Sequence, residues 1–398
     1  MNGSYRIQAL EESQTLALSK RVRELKAEGK DILNLTLGEP DFVTPNHIRD
    51  AASLAIAEGF THYTPVSGIL ELRQAVADKF RKYNSLPYSA SNIVISTGAK
   101  QSLINAIMVL VNPGDEVIMP VPFWVSYAEM VKMAEAKSVL IQTGIEQGFK
   151  MTAAQLEATI TDKTRMLIFS SPSNPAGAMF TQQELSDIVQ VLLKHPNIFV
   201  ISDEIYEFIA YDTPHISIGS FPEIFDRVIT INGVSKGFAM TGWRVGFMGA
   251  AKWIADLCDK FQGQVTSGTC SISQKAALAA MTSDLGPTYQ MTEIFKQRRA
   301  MFYDYLKMIP GFQVSMPQGA FYMYPDISGL FGKKTPSGIT LNTPTDVAAW
   351  LLEDAGVALV PGEAFGTDKH LRLSFACSEK VLEAAAERIL LAVRTLVS

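Results

Sequence analysis

Cysteine is scarce in this chain. Cys258, Cys270 and Cys377 are an odd number at wide spacings with no Cys-x-x-Cys, which fits neither a disulfide framework nor a zinc site and makes a reducing cytoplasm the expected home. Charge is sparse as well, at 19% of residues and a net −5 at pH 7, with no basic run. A nucleic-acid binder is thereby excluded, because an acidic surface forgoes the counterion-release gain. The five histidines, His47, His62, His195, His215 and His370, fall at no metal-ligand spacing, so no metal is expected. No window has the roughly 18 uninterrupted apolar residues of a membrane span, and the N-terminus lacks a signal-peptide apolar run. Repeats and low-complexity tracts are missing too. What is plentiful is apolar matter, 47% of 398 residues. That is enough for a large core and, at about 100 to 200 residues per domain, for two domains.

From Ile69 to Val234 helix-like and strand-like segments alternate, the signature of a sheet flanked by helices and hence of an α/β domain. Strands are expected at Ile93–Thr97, Glu116–Val121, Ser138–Thr143, Arg165–Ser171, Ile198–Glu204, Val228–Ile231 and Arg244–Gly249. Several are apolar on both faces, as in a parallel sheet covered on both sides. Thr181-Gln-Gln-Glu184 is a capping box that starts a helix running to Lys194. Beyond about Asp284 a long charged helix leads into strands near Phe312–Met316 and Ala320–Pro325 and helices near Thr345–Ala355 and Ser378–Val393. Three units are expected: 1–45 as an arm with part of a small domain, 46–284 as a large domain, and 285–398 as the small domain. The loop Phe331–Gly338, rich in Gly, Pro and Lys, is expected to be mobile.

Ligands of open α/β sheets bind at the carboxyl ends of strands, so polar residues that end apolar strands single themselves out. Lys236 follows the strand Val228–Ile231 amid small and apolar neighbours, with Arg244 eight residues on. It is either an ordinary loop lysine in water or a desolvated amine that loses its proton readily and acts as a nucleophile. Asp203 ends Ile198-Phe-Val-Ile-Ser and is either a helix cap or an anionic partner for a ligand. Ser96-Thr-Gly98-Ala99-Lys100 joins a strand to a helix whose amides suit an anion. Ser170-Ser-Pro-Ser-Asn174-Pro-Ala-Gly177 is at the least a rigid turn. Trp124 in Pro122-Phe-Trp-Val-Ser-Tyr127 is core or a stacking surface. Arg372 in His370-Leu-Arg-Leu-Ser-Phe375 alternates with apolar neighbours as an edge-on strand residue.

Taken together, these segments resemble the class I and II aminotransferases, closest to the bacterial, Thermus-like aspartate aminotransferase subgroup, and the resemblance runs from about Tyr5 to the C-terminus. It implies the fold-type I architecture of pyridoxal-phosphate transferases: a mostly parallel central sheet with a smaller α+β domain. It implies pyridoxal 5'-phosphate held covalently by Lys236, its ring nitrogen on Asp203, its ring hydroxyl on Tyr206 and Asn174, and its ring stacked on Trp124. The phosphate would lie on Gly98, Ala99, Lys100 and Arg244. Relatives often carry a serine where this chain has Gly233, so Ser235 is the expected replacement for one phosphate bond. Tyr63 would reach the phosphate of a second subunit, which implies a homodimer with shared sites. On the substrate side the family assigns the α-carboxylate to Arg372, with Gly38, Trp124 and Asn174 beside it. No arginine falls between Gly263 and Ser273, so the distal carboxylate is expected on Lys100, with Ser13 or Thr15 as helpers.

The implied reaction is ping-pong transamination, with Lys236 yielding the cofactor to an amino acid, expected to be aspartate, and shuttling its α-proton before an oxo acid, expected to be 2-oxoglutarate, takes the nitrogen. Prephenate, aromatic acids or alanine are alternative substrates, since a lysine selects carboxylates less strictly than a forked arginine. A β-lyase or aminocyclopropane carboxylate synthase would share the fold. A ligand-sensing domain of a transcription regulator would need a preceding DNA-binding module, and this chain begins with the aminotransferase arm.

Overall fold

The computed structural model describes residues 3–11 and 14–397. Its central sheet has seven strands in the order β2-β8-β7-β6-β5-β3-β4: β2 (Ile93–Ser96), β3 (Glu116–Val121), β4 (Lys137–Gln142), β5 (Thr164–Ser170), β6 (Phe199–Asp203), β7 (Val228–Gly233) and β8 (Gly246–Gly249). Only β8 runs antiparallel to its neighbours β2 and β7; the remaining pairings are parallel. The apolar runs explain this. Along β5, Met166 and Ile168 enter one core with Leu103 and Ile107 of the helix Ala99–Leu110, while Leu167 and Phe169 enter another with Leu185 and Val189 of the helix Gln182–Lys194. Alternating side chains thus find a helix on each face, and the strand can be apolar throughout. The helix Gln182–Lys194 starts on its capping box, with the Glu184 carboxylate accepting from the Thr181 amide at 2.7 Å.

Parallel register brings strand ends to one edge. Ser170 pairs with Asp203, and Asp203 with Ile231, so the chain segments that leave β5, β6 and β7 emerge side by side. The sequence-expected positions of all seven strands hold to within one or two residues at most ends. Arg244 is the exception that matters. It lies outside β8, in the left-handed region at φ 56°, because the chain turns through Thr241–Trp243 before the strand begins at Gly246. Asp203 caps no helix either. The chain enters a turn, and its Oδ1 accepts only from the Ile205 amide at 3.3 Å.

A second core collects the C-terminal third. It joins the helices Gly286–Lys307, Pro344–Asp354 and Glu379–Arg394 to two small sheets. One pairs β1 (Leu33–Asn34) with β10 (Val357–Ala358); the other orders β11 (Val360–Pro361), β12 (Leu371–Ser374) and β9 (Tyr322–Met323). Arg372 therefore lies on the middle strand of its sheet and not edge-on. Residues 312–316 form no strand. Gln313 makes one bridge to Asp326, since Gly311 turns into the left-handed region on one side and Pro325 has no amide to give on the other. The segment 331–338 is a bonded hairpin where a mobile loop was expected. The Gly332 amide donates to the Leu341 carbonyl and the Leu341 amide to the Lys333 carbonyl, and Lys334 pairs with Val397.

Phe295 anchors this second core. It is fully buried, with ring centroids 5.4 Å from Phe42, 5.2 Å from Phe321 and 6.4 Å from Phe375, so it joins the N-terminal loop to β9 and β12. Phe295→Ala is expected to cost about 3–5 kcal/mol, against about 0.5 kcal/mol or less for Met308→Ala, which is 59% exposed. Urea unfolding of the two variants checks this; equal midpoints would show that Phe295 holds nothing together.

Candidate active site

The carboxyl edge of the sheet opens into a cavity of about 350 Å³. Gly38, Ala99, Lys100, Trp124, Asn174, Asp203, Tyr206, Ser235, Lys236, Arg244 and Arg372 line it, although they are spread over more than 330 positions of sequence. The strand ends explain the convergence: the helix after β2 brings Lys100, the turn after β5 Asn174, the end of β6 Asp203 and the turn after it Tyr206, and the turn after β7 Lys236. Gly98 stands just behind the lining. Its φ is +85°, and a Cβ there would collide with the Arg244 guanidinium; a Cβ on Gly246 would likewise strike the Ala99 amide. Two glycines therefore let the arginine, the strand β8 and the first turn of the helix Ala99–Leu110 close on one another. Gly233 is similarly confined, with a Cβ 3.0 Å from both Gly246 Cα and the Val245 carbonyl.

Asp203 sits at the cavity floor, 5% exposed. Burial pushes its carboxyl up to about 6 and Glu204 adds to this, while the Tyr127 hydroxyl, donating to Oδ2 at 2.6 Å, the Ile205 amide and the Lys236 charge act against it. At neutral pH it is a carboxylate. Lys236 has its amine against the Gly38 carbonyl. Desolvation lowers it to about 8, with Arg372 and Arg244 acting in the same direction and Glu39 and Asp203 opposing. An ordinary lysine holds its proton to above pH 10; this one releases it more than two units earlier.

Arg372 is 3% exposed. It donates to Asn174 Oδ1 at 3.1 Å and to the Thr36 carbonyl at 2.7 Å, and its Nε, also buried, has no partner. An unbonded donor on a buried cation is costly unless an anionic ligand completes it. Arg244 donates to the Thr241 carbonyl at 2.8 Å, leaving most of its guanidinium for the cavity. Lys100 lies 4.8 Å from the Trp124 ring centroid, and desolvation with the nearby Arg244 charge lowers its pKa.

Two tyrosines were missed by the sequence reading. The Tyr322 hydroxyl lies 2.7 Å from that of Tyr206, its ring lies under the Arg372 guanidinium at 4.6 Å, and a Cβ on Gly38 would stand 3.0 Å from its hydroxyl. Nothing in the run Ala320–Pro325 indicates which tyrosine faces the cavity. Tyr127 follows Trp124 by three residues at the start of a helix, a spacing that places both on one side and is the signal for it. Both Tyr206 and Tyr322 are held as neutral phenols by burial. Tyr63 does not join the cavity of its own chain and is fully exposed. Ser13 and the side chain of Thr15 lie outside the described residues.

The family model described as aminotransferase class I and II matches residues 30–389. A probable aspartate/prephenate aminotransferase of Rhizobium leguminosarum bv. phaseoli is 46% identical over 381 residues, 95% of each chain. An aspartate aminotransferase of Rhizobium meliloti (strain 1021) is 43% identical, covering 96% of this chain and 94% of its own. Among solved structures, an aspartate aminotransferase from Rhizobium meliloti superposes with TM-score 0.97 at 42% identity over the whole of both chains. The aspartate aminotransferase from Thermus thermophilus with maleate gives 0.93 at 37%, over 98% of this chain and all of that one. A match over nearly the full length, in sequence and in fold, meets the same cavity that the strand ends build, and the chain belongs to the class I and II aminotransferases.

Proposed function

We propose that the cavity holds pyridoxal 5'-phosphate and transfers the amino group of aspartate to 2-oxoglutarate. The observation that carries this reading is the set of four charges on one cavity: a deprotonatable Lys236, a buried anionic Asp203, and the two arginines Arg244 and Arg372. The donor set fits the cofactor. Arg244, packed on Gly98 above the free amides of Ala99 and Lys100, suits a phosphate, with Ser235 beside it. Asp203 suits a protonated ring nitrogen, Tyr206 and Asn174 a ring hydroxyl, and Trp124 a ring face. Bound there, pyridoxal phosphate supplies a carbonyl that condenses with amines and a ring that accepts electrons.

The chain's own part is positioning and proton transfer. Arg372, already oriented by Asn174 and Thr36, grips the substrate α-carboxylate through its unpartnered Nε and the rest of its fork. Lys236 would hold the cofactor covalently and, as a neutral amine, would be the base placed to take and return the substrate's α-proton. The neutral phenol of Tyr206 donates a hydrogen bond without adding charge. Gly38 closes the substrate side beneath Tyr322.

Lys100, on the cavity wall, is the cation proposed for a distal carboxylate, and the Thermus relative solved with maleate, a dicarboxylate, is in keeping with a dicarboxylate substrate. The names of several relatives add prephenate as a further acceptor. A homodimer is the proposed assembly. Tyr63, fully exposed as Leu54, Ile56 and Leu70 are largely exposed, would serve the partner's phosphate. The cytoplasm is the proposed location, in keeping with three unpaired cysteines and the lack, among the described residues, of a helix long and apolar enough to cross a membrane. Residues 46–284 are proposed as the large domain and 285–398, with much of 1–45, as the small one, in keeping with the core that joins Leu33, Leu35 and Phe42 to residues 291–393.

Lys236→Ala is expected to abolish borohydride-trapped cofactor and to lower kcat by about 10⁴-fold or more, as loss of both the anchor and the proton carrier requires. Retention of covalent cofactor with more than trace turnover would move the anchor elsewhere. A second expectation concerns pH. Because the folded pKa of Lys236 is lowered, the free amine appears as pH rises through about 8, so covalent capture by stripped protein should reach half its maximal rate near there, and a midpoint above 10 would contradict the desolvated site. For Lys100, replacement by Met should lower kcat/KM for aspartate by about tenfold to a hundredfold while alanine changes little. Equal losses for both substrates would remove Lys100 from distal recognition.

A further inference from the structure

The turn that presents Asp203 and Tyr206 to the cavity carries two more acids, Glu204 and Glu207, and neither lines the cavity. They point the other way into the protein, 0% and 8% exposed. Carboxylates without water need partners of their own. Those of Glu204 are His215, whose Nε2 is 3.0 Å from Oε2, and the hydroxyls of Ser217 and Ser202, donating to Oε1 at 2.6 and 2.9 Å. Glu207 pairs with the buried Lys79. Asn84, the last residue of the helix Leu70–Asn84, donates to Glu207 at 2.6 Å and to Glu204 at 3.5 Å, and accepts from Lys79 at 2.9 Å. Every partner comes from outside the turn: Lys79 and Asn84 from the helix Leu70–Asn84, Ser202 from β6, and His215 and Ser217 from the loop beyond.

Two features give this cluster a use beyond packing. The turn is held by few backbone bonds, from the Glu204 amide to the Ile231 carbonyl at 2.9 Å, Glu207 to Glu204 at 3.0 Å and Ile209 to Tyr206 at 2.7 Å, so the side-chain bonds on its far face add to what fixes Asp203 and Tyr206. The cluster is also charged, next to a residue whose charge counts. The Glu204 carboxylate, adjacent in sequence, favours a proton on Asp203, whereas Tyr127, the Ile205 amide and Lys236 oppose it. Burial would push Glu204 itself up, yet the His215 ring and the two hydroxyls hold it below the ordinary range. The two carboxylates thus each face a nitrogen base, Glu204 the His215 ring and Glu207 the Lys79 amine. Tyr88, whose proton the neighbouring Glu204 helps retain, is the other titratable group against Glu204; Tyr289, from the helix Gly286–Lys307, is the other near Glu207.

We propose that Glu204 and His215 are positioning residues for Asp203: the pair clamps the turn from behind, and the His215 charge cancels that of Glu204 so that Asp203 stays a carboxylate able to hold a protonated ring nitrogen. This rests on the pyridoxal-phosphate reading above. The two residues then have opposite electrostatic signs. Loss of the His215 charge leaves Glu204 uncompensated and favours protonated Asp203; loss of the Glu204 charge removes the like charge and favours its carboxylate. A purely structural clamp would make both losses act alike.

The test is binding, not turnover. Full-length protein stripped of cofactor is titrated with pyridoxal phosphate by fluorescence from pH 4.5 to 8, and the acid limb of affinity is compared between variants. His215→Gln should move that limb up, and Glu204→Gln down, each by about 0.5–1 pH unit, while His215→Lys, which retains a cation, should return it toward wild type. Should Glu204→Gln fail to fold, His215→Gln against His215→Lys decides alone: a limb that moves up in the first and back in the second supports the proposal. Shifts in the same direction for the two neutral variants, or unmoved limbs in folded variants, overturn it while leaving the cofactor reading intact. A wild-type protein that shows no saturable binding of pyridoxal phosphate would take down both.

Discussion

Everything in the cavity is arranged around a carboxylate that must stay ionised where water has been removed. Asp203 ends β6 at 5% exposure, and burial alone would favour its protonated form, which could accept no proton from a ligand. One hydroxyl, one amide and one ammonium act against that tendency. Each comes from a different segment: Tyr127 from the helix Ser126–Met133, Ile205 from the turn, Lys236 from beyond β7. The parallel register of β5, β6 and β7 is what brings those segments together, so the sheet's topology and the charge state of one aspartate are a single problem. The same desolvation acts with the opposite consequence on Lys236. An amine loses its charge where a carboxylate resists keeping its own, so one dry cavity yields a nucleophile and an anion a short distance apart.

Much of this was legible in the residues. The doubly apolar strands specified a covered parallel sheet, and polar residues at their ends marked the site before any contact was known, because a strand that is apolar throughout leaves only its end free for chemistry. Thr181 and Glu184 specified a helix start to the residue. What could not be read were features that depend on a partner distant in sequence. Arg244 looks like a strand residue from its neighbours, yet the chain turns at Thr241–Trp243 and sets it in a left-handed conformation against Gly98. Residues 312–316 have strand-like alternation but find a partner only at Gln313. Tyr322 and Tyr324 sit two residues apart, and only the middle position of β12 decides that the first meets Arg372 and Tyr206 while the second bonds Thr367.

Glycine explains why the phosphate end of the cavity can be so compact. Arg244 approaches the backbone at Gly98 more closely than any side chain there would permit, and β8 approaches Ala99 across Gly246. These two contacts set the arginine beside the first-turn amides, which individually attract anions only weakly. Together, a guanidinium and helix amides converge on one volume. Gly233 shares the crowding, since a Cβ there would stand 3.0 Å from two backbone atoms of the strand's partner. Ser235, buried on the cavity wall, is the hydroxyl placed nearby.

The sequence Asp203-Glu-Ile-Tyr-Glu207 shows how a site can be tuned from behind. Asp203 and Tyr206 face a cavity where ligands exchange, while Glu204 and Glu207 face a closed cluster of Lys79, Asn84, His215, Ser202 and Ser217. A turn carrying three acids in five residues, all buried, would be untenable if the acids shared one environment, since like charges in low dielectric repel and each lacks water. Splitting them between two faces gives each its own partners. Asp203 has Lys236 in front, and the pair behind has the Lys79 amine and the His215 ring. The arrangement also makes the two faces answer to one another, because a charge left uncompensated in the closed cluster is felt one residue away at the cavity floor. Rigidity and electrostatics then have the same source: the contacts that hold the turn still are the contacts that keep its buried charges balanced.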